Sequence, residues 1–218
     1  QGVTEGNLEK ILHLLEAMAP VAVMIDEADA YLGDRSASGD SGVSSRVFSQ
    51  IASFMSNTDH RGRIIWFLMT ARPDLMPIDL KRQGRAEEHL ALFPPQNSDE
   101  KEELFRAMAK KTKIKLEEEV VPELLLSDSY HLSGADMEAI LTRAKFEAVA
   151  HGKDSVDLAM LEQVIQNFIP PTYPEEVELQ TLLAVLECTS KKLLPDLYTQ
   201  MDRQELLSRI EELRIRIA

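Results

Sequence analysis

Val-Ala-Val-Met-Ile-Asp-Glu-Ala-Asp-Ala, residues 21–30, is the stretch that decides the fold of this 218-residue chain. Five apolar residues, three of them β-branched, run without interruption into Asp26 and Glu27. A short run of this kind is typical of a strand that is buried on both faces, as in a parallel sheet. We therefore expect an α/β fold whose first strand ends in two adjacent acids.

The carboxylates of Asp26 and Glu27 suit different chemical roles. Ligands of open α/β sheets bind at the carboxyl ends of the strands, and side chains alternate along a strand, so Asp26 and Glu27 point in different directions. One carboxylate suits a hydrated Mg²⁺, which takes one or two carboxylates plus waters and phosphates. The other suits polarising a water. The stretch equally fits a plain core strand that ends in the polar start of a turn, so both interpretations stay open here.

Composition excludes several classes of protein. The net charge of −13 disfavours sequence-independent binding to nucleic acid or to an anionic membrane. Cys188 is the only cysteine, so the chain can form neither an intrachain disulfide nor a cysteine-based zinc site. The five histidines are scattered without metal-ligand spacing. An apolar run of 18 residues and a signal peptide are both missing from the sequence, which predicts a cytoplasmic protein. Because the chain begins at Gln1 rather than Met, we also expect residues upstream of it.

Two further strands are predicted. Residues 64–69 form a second uninterrupted apolar run, which predicts a second buried strand. Thr70-Ala71-Arg72-Pro73-Asp74 follows it, and Pro73 disfavours helix at Arg72, so a loop starts there. Residues 89–93 predict a third strand, closed by Pro94 and Pro95.

Helical periodicity dominates the rest of the chain. The spacing predicts a first helix over residues 4–19 with Thr4 as its N-cap, and a second that Ser44 or Ser45 caps. Residues 33–45 predict a flexible loop before it. From Asn97 onward the pattern is purely helical. The predicted helices there cover residues 97–111, 117–126, 133–150, 157–168, 174–188 and 202–217.

Polar residues at the strand ends and in the loop before residue 89 are the candidates for chemistry. Thr70 is placed to contact a γ-phosphate or to orient a water. Arg82 and Arg85 flank Gly84, and a planar guanidinium suits reaching a phosphate on another subunit. The alternative for the arginines is a surface role in ion pairs with Glu87 and Glu88, which are worth little.

Four segments taken together resemble the AAA family of ATPases in their order and spacing. They are the apolar run with its acids at residues 21–30, Thr-Ala-Arg-Pro-Asp at 70–74, Asp-Leu-Lys-Arg-Gln-Gly-Arg at 79–85 and Ser-Gly-Ala-Asp at 133–136. The resemblance covers roughly residues 1–170. It implies the C-terminal part of a parallel-sheet, P-loop-type αβα subdomain at 1–95 and an all-helical lid at 96–170. A helical C-terminal extension at 171–218 lies outside it.

The resemblance also implies a function and roles for single residues. The implied function is ATP hydrolysis with Mg²⁺, coupled to remodelling or unfolding a protein substrate in a ring, which the resemblance implies is a hexamer. Residues 33–45 would lie where the family places a loop facing the pore. The implied roles are Asp26 as the Walker B ligand of Mg²⁺, Glu27 as the acid that activates water, Thr70 as a nucleotide contact, Arg82 and Arg85 as arginine fingers, and Gly134 and Ala135 beside adenine and ribose.

Two departures from the family pattern carry predictions. Ala71 stands where the family has Asn after the Thr, and an alanine donates no hydrogen bond to phosphate or water. Losing one such donor lowers a rate on the order of 100-fold, so we expect weakened hydrolysis. The sequence also contains no Gly-x-x-x-x-Gly-Lys-Ser/Thr. We therefore expect this chain alone to bind ATP weakly and to be inactive.

Two other functions remain open at this point. A non-catalytic scaffold derived from the AAA module fits the missing phosphate loop and Ala71. A Mg²⁺-dependent phosphatase using Asp26 and Asp29 fits the acid cluster, although no second acid cluster follows the run at 64–69. The two amphipathic helices of the extension fit plain packing elements or a cover for a neighbouring subunit.

Overall fold

A computed structural model describes residues 2–33, 41–117, 121–127, 132–170 and 173–217. The chain forms two compact units. The first joins Gln1–Ala91 with Pro174–Ala218, and the second is Leu92–Tyr173. We call them the sheet unit and the helical unit. The C-terminal extension packs with the sheet unit. The predicted domain bounds at residues 95 and 170 stay predictions.

The sheet of the described residues has two parallel strands, β1 (Val21–Ile25) and β2 (Ile64–Leu68). Val21 lies opposite Ile64 and Ile25 lies opposite Leu68, so the strands start and end together. The parallel α/β fold class predicted from residues 21–30 is confirmed.

Burial on both faces of the sheet is the part of that prediction that is wrong. Ile25, Trp66 and Leu68 pack into one core with the helices of the sheet unit. On the opposite face Met24 is 66% exposed and Phe67 is 48% exposed. An unbroken apolar run does not distinguish one covered face from two. Only one face is covered by the elements that the structure describes.

Three helices accompany the strands: α1 (Gly2–Met18), α2 (Ala28–Leu32) and α3 (Ser41–Ser56). Single 3₁₀ turns occupy Thr58–His60 and Pro73–Leu75. Both predicted helix starts were placed too late, because α1 begins before Thr4 and α3 begins before Ser44. Most of the predicted loop at 33–45 lies outside the described residues.

The predicted third strand is also wrong. Residues 89–93 belong to no sheet. The amide of His89 donates to the Thr189 hydroxyl at 3.0 Å, and the amide of Thr189 donates to the His89 carbonyl at 3.2 Å. These two bonds join one residue of the segment to one residue of the extension, whereas a strand needs regular pairing along its length.

The described part of the helical unit contains four helices: α4 (Ser98–Thr112), α5 (Glu123–Leu126), α6 (Gly134–Ala150) and α7 (Leu158–Gln166). Asn97, Ser133 and Asp157 cap α4, α6 and α7 through their side chains, close to the predicted helix starts at 97, 133 and 157. The predicted helix at 117–126 shrinks to α5, with 118–120 outside the described residues. The core of this unit includes Phe105, Leu125, Leu141, Ala144 and Ile165.

The extension forms α8 (Pro174–Glu187), α9 (Asp196–Thr199) and α10 (Arg203–Ile217), close to the predicted helices. We call α8 and α10 the tail hairpin, because they pack on each other. Both helices carry buried apolar side chains, which include Leu182, Leu183, Leu206, Ile210 and Leu213. Across the described ranges, no helix combines the length and apolar character that crossing a membrane requires.

Candidate functional site

The parallel register brings the predicted polar residues of β1 and β2 to one edge of the sheet. The amide of Met69 donates to the Ile25 carbonyl at 2.8 Å, and the amide of Ala28 donates to the Met69 carbonyl at 2.9 Å. These two bonds extend the pairing past both strand ends. Asp26, Glu27 and Thr70 therefore emerge side by side.

The two acids of this edge are accessible. Both Asp26 and Glu27 are exposed, and Asp26 Oδ1 accepts the neighbouring Glu27 amide at 2.9 Å. No basic side chain among the described residues pairs with either carboxylate. An exposed carboxylate without a cationic partner fits an ion that keeps several of its waters, as Mg²⁺ does.

Glu27 has an unusual backbone. Its φ is 50° and its ψ is 43°, the left-handed region, and its side chain makes no capping bond to α2. This conformation disfavours side chains that carry a Cβ. Such strain concentrates at functional sites, where the surrounding structure holds it.

Metal binding by the protein alone is not built into the described residues. They contain no group of three or more His, Cys, Asp or Glu side chains that could hold an ion. A Mg²⁺ at Asp26 would need its other ligands from water and phosphate, which is how this ion is usually bound.

The Thr70 hydroxyl is occupied by two hydrogen bonds within the chain. Its hydroxyl donates to Asp29 Oδ1 and accepts the Arg72 amide at 2.8 Å. Thr70 is the predicted nucleotide contact, and Asp29 belongs to the alternative interpretation as a phosphatase. The structure instead joins the two in one hydrogen-bond chain behind the exposed acids. The parallel register was the signal for it, because it places the residues after β1 next to those after β2.

That chain continues into an ion-pair network. Arg72 donates from Nε to Asp74 Oδ1 and from Nη2 to Asp74 Oδ2, both at 3.0 Å. Arg214 of α10 donates to Asp74 Oδ2 at 3.1 Å. Burial raises the pKa of Asp74, but the hydrogen bonds and charge of Arg72, with the charge of Arg214, hold that pKa below its ordinary value. The Asp74 bonds in turn raise the pKa of Arg72.

Arg82 and Arg85 lie in the turn at residues 81–86, which follows β2 in the chain. Arg85 donates to the Ser56 hydroxyl at 2.6 Å and to the Asp79 carbonyl at 2.7 Å. Arg82 is 68% exposed and lies 3.2 Å from Asp79, so its partner is not the predicted Glu87 or Glu88. Gly84 between them has φ of +85°, and a Cβ there would lie 3.0 Å from Arg61 Nη2.

The positions of these neighbours separate the arginines from the acids. Ser56 and Arg61 precede β2, whereas Asp26 and Glu27 follow β1. A strand of five residues is roughly 16 Å long at about 3.3 Å per residue. The arginine turn therefore lies toward the opposite end of the strands from the acids of the same chain.

Gly134 and Ala135 belong to the helical unit and form the first turn of α6. Ser133 and Asp136 make a reciprocal capping box at this helix start. A Cβ on Gly134 would meet only the ends of Leu104 and Met108, at 3.7 and 3.8 Å. The Ser-Gly-Ala-Asp segment thus has a local structural job of its own.

Comparison with known proteins identifies relatives. Residues 1–93 match the model of the ATPase family associated with various cellular activities (AAA). Protein SAV of Sulfolobus acidocaldarius is 27% identical over 209 residues, which cover 93% of this chain and 25% of that protein.

Two further relatives agree with that match. The cell division cycle protein 48 homolog of Archaeoglobus fulgidus is 28% identical, over 68% of this chain and 20% of that protein. The proteasome-activating nucleotidase of Methanothermobacter thermautotrophicus is 29% identical, over 78% of this chain and 42% of that protein. The chain spans less than half the length of each of these relatives. With its parallel strands ending in Asp26 and Glu27, and with the family match over residues 1–93, this chain is similar to the AAA family of ATPases.

Proposed function

We propose that this chain supplies the acidic edge and the arginine turn of an ATP site in a longer, ring-forming AAA ATPase. In that protein ATP binding and hydrolysis would drive the remodelling or unfolding of a protein substrate. The observation that carries the proposal is the edge at which Asp26, Glu27 and Thr70 emerge together from two strands in register. The relatives named above support it at the level of the family.

Asp26 would ligate Mg²⁺ and Glu27 would activate the attacking water. Both carboxylates are exposed and free of cationic partners within the described ranges, so neither must break an ion pair to work. The strained backbone of Glu27 supports a functional reason for an acid at that position.

Arg82 and Arg85 would act on a neighbouring subunit rather than on their own acids. Their turn lies toward the other end of β2, which supports action across a subunit boundary in a ring. Gly134 and Ala135 would contact adenine and ribose from the helical unit. A hexamer is the ring size that the family resemblance implies.

The phosphate-cradling loop must come from outside this sequence, which contains no such motif. The bare apolar face of the sheet supports the same idea, because Met24 and Phe67 would be covered by a further segment. We expect calorimetry of this chain with ATP and Mg²⁺ to detect little or no binding. Submicromolar affinity would contradict this expectation.

The decisive experiment measures ATP turnover by the longer protein and its Glu27→Gln variant. The amide keeps the size of the side chain and loses the base, so turnover should fall at least 100-fold while nucleotide binding persists. Arg85→Ala should also abolish turnover and leave binding intact. Equal turnover in wild type and Glu27→Gln would refute the catalytic assignment.

A non-catalytic scaffold is the second candidate, and specific contacts favour it. Arg85 uses two donors on Ser56 and Asp79, and Thr70 uses its hydroxyl on Asp29. Ala71 offers no donor to a phosphate. A scaffold would form the ring and bind nucleotide without turnover in the wild type, a result that the same assay separates from catalysis.

A further inference from the structure

The tail hairpin touches the segment between Thr70 and His89 at both of its ends. At the first end α8 packs against the Pro73–Leu75 turn, and Arg214 of α10 reaches Asp74. Asp74 is only 13% exposed, whereas Arg214 is 51% exposed. A partly buried carboxylate therefore pairs with a positive charge from a helix that follows it by more than a hundred residues.

At the second end Glu187, the last residue of α8, contacts the side chains of Lys81 and His89. Lys81 Nζ lies 2.7 Å from Glu187 Oε1. The His89 ring has Nδ1 at 2.8 Å from the Glu187 carbonyl and Nε2 at 3.0 Å from the Ala86 carbonyl. Arg82 and Arg85 lie between these two anchors.

The first anchor is also continuous with the strand ends. Asp74 holds the Arg72 guanidinium by two bonds, the Arg72 amide donates to the Thr70 hydroxyl, and that hydroxyl donates to Asp29. Each link restricts the next. The Thr70 hydroxyl and the Asp74 carboxylate of the loop after β2 therefore both take part in this chain of bonds, and the loop cannot move without breaking one of them.

We propose that the tail hairpin is a positioning element for the loop after β2, and that Arg214 is a positioning residue which fixes this loop through Asp74. Arg214 touches none of the predicted nucleotide contacts. It acts by adding a hydrogen bond and a positive charge to the Asp74 carboxylate, so that Arg72 and Thr70 keep one arrangement beside Asp26 and Glu27.

Hydrogen exchange on the whole chain tests the proposal without any nucleotide. The reporters are the amides of Arg72, Leu75 and Met76, which donate to acceptors inside the loop. Arg214→Ala should speed their exchange roughly tenfold, as expected for losing one charge-assisted hydrogen bond. Arg214→Lys keeps the charge and should restore most of the protection.

Arg216→Ala is the matched control. Arg216 lies two residues further along the same helix and pairs with Glu175 of α8. Its loss removes one exposed ion pair of the tail hairpin and leaves Asp74 untouched, so the three reporter amides should not change. Equal acceleration in both variants, or none in Arg214→Ala, would overturn the proposal. If Arg214→Ala does not fold, Arg214→Gln removes the charge, keeps much of the length of the side chain and leaves the Arg72–Asp74 bonds in place, so it is read in the same way.

A second readout rests on the proposed function. In the longer ATPase, Arg214→Ala should lower kcat for ATP about tenfold and leave KM within about twofold, because the loop orients groups near the acids and does not grip the nucleotide. Unchanged kcat in a protein whose Glu27→Gln variant is inactive would count against the positioning role. Full turnover in Glu27→Gln would instead defeat the proposed function, while the exchange experiment would still decide the role of Arg214.

Discussion

At the scale of single residues, the candidate site divides into exposed acids and a bonded layer behind them. Asp26 and Glu27 are exposed, whereas Asp29 and Thr70 are partly buried and bonded to each other. Ligand chemistry needs accessible groups, and their geometry needs support from groups that cannot move. The sequence pattern identified the accessible pair but not its support, because the Asp29–Thr70 bond joins residues 41 positions apart.

Glu27 offers a test of whether its carboxylate is structural. Asn tolerates the left-handed region better than Glu, so Glu27→Asn should leave the free energy of unfolding unchanged or raise it by a few tenths of a kcal/mol, measured by urea denaturation. Lys113 has φ of 52° and is the matched control, because the described chain contains no third non-glycine residue with positive φ. Lys113→Asn should give a similar change. A loss above about 1 kcal/mol in Glu27→Asn alone would show that the acid serves the fold.

At the scale of elements, local patterns predicted what local interactions determine. The helices α4, α6 and α7 begin one residue after the predicted starts at 97, 133 and 157, where Asn97, Ser133 and Asp157 cap them, because a cap needs only its own first turn. The strand at 89–93 failed because pairing depends on a distant partner. The prediction that Met24 and Phe67 are buried was wrong for a related reason, since a residue type does not reveal whether another element covers the side chain.

The join between α10 and the Pro73–Leu75 turn should depend on pH. A carboxyl whose pKa is lower in the folded state contributes stability that is present above its unfolded pKa of about 4 and is lost as pH falls through the folded value. The pKa of Asp74 is lowered in this way. The difference in unfolding free energy between wild type and Asp74→Asn should therefore be constant above about pH 5 and shrink on acidification below about pH 4. A difference that stays constant to pH 2 would contradict this linkage.

At the scale of the whole molecule, the C-terminal helices belong to the same compact unit as the N-terminal residues. The tail hairpin packs with Gln1–Ala91 although eighty residues of helical unit intervene in the sequence. Amphipathic periodicity showed that residues 174–188 and 202–217 must bury an apolar stripe, but not against which surface. The extension at 171–218 as a domain of its own stays a prediction, and the stability of the sheet unit can test it.

Leu213 and Leu141 provide that test, because both are fully buried, one in α10 and one in α6. Truncating a buried leucine to alanine costs about 2–5 kcal/mol through lost burial and the cavity left behind. If the tail hairpin is part of the sheet unit, Leu213→Ala should speed hydrogen exchange in β1 and β2, which lie far away in sequence. Leu141→Ala should instead speed exchange in α6 and α7, within its own core. Protection of β1 and β2 that survives Leu213→Ala, with loss confined to α8 and α10, would show that the extension folds independently.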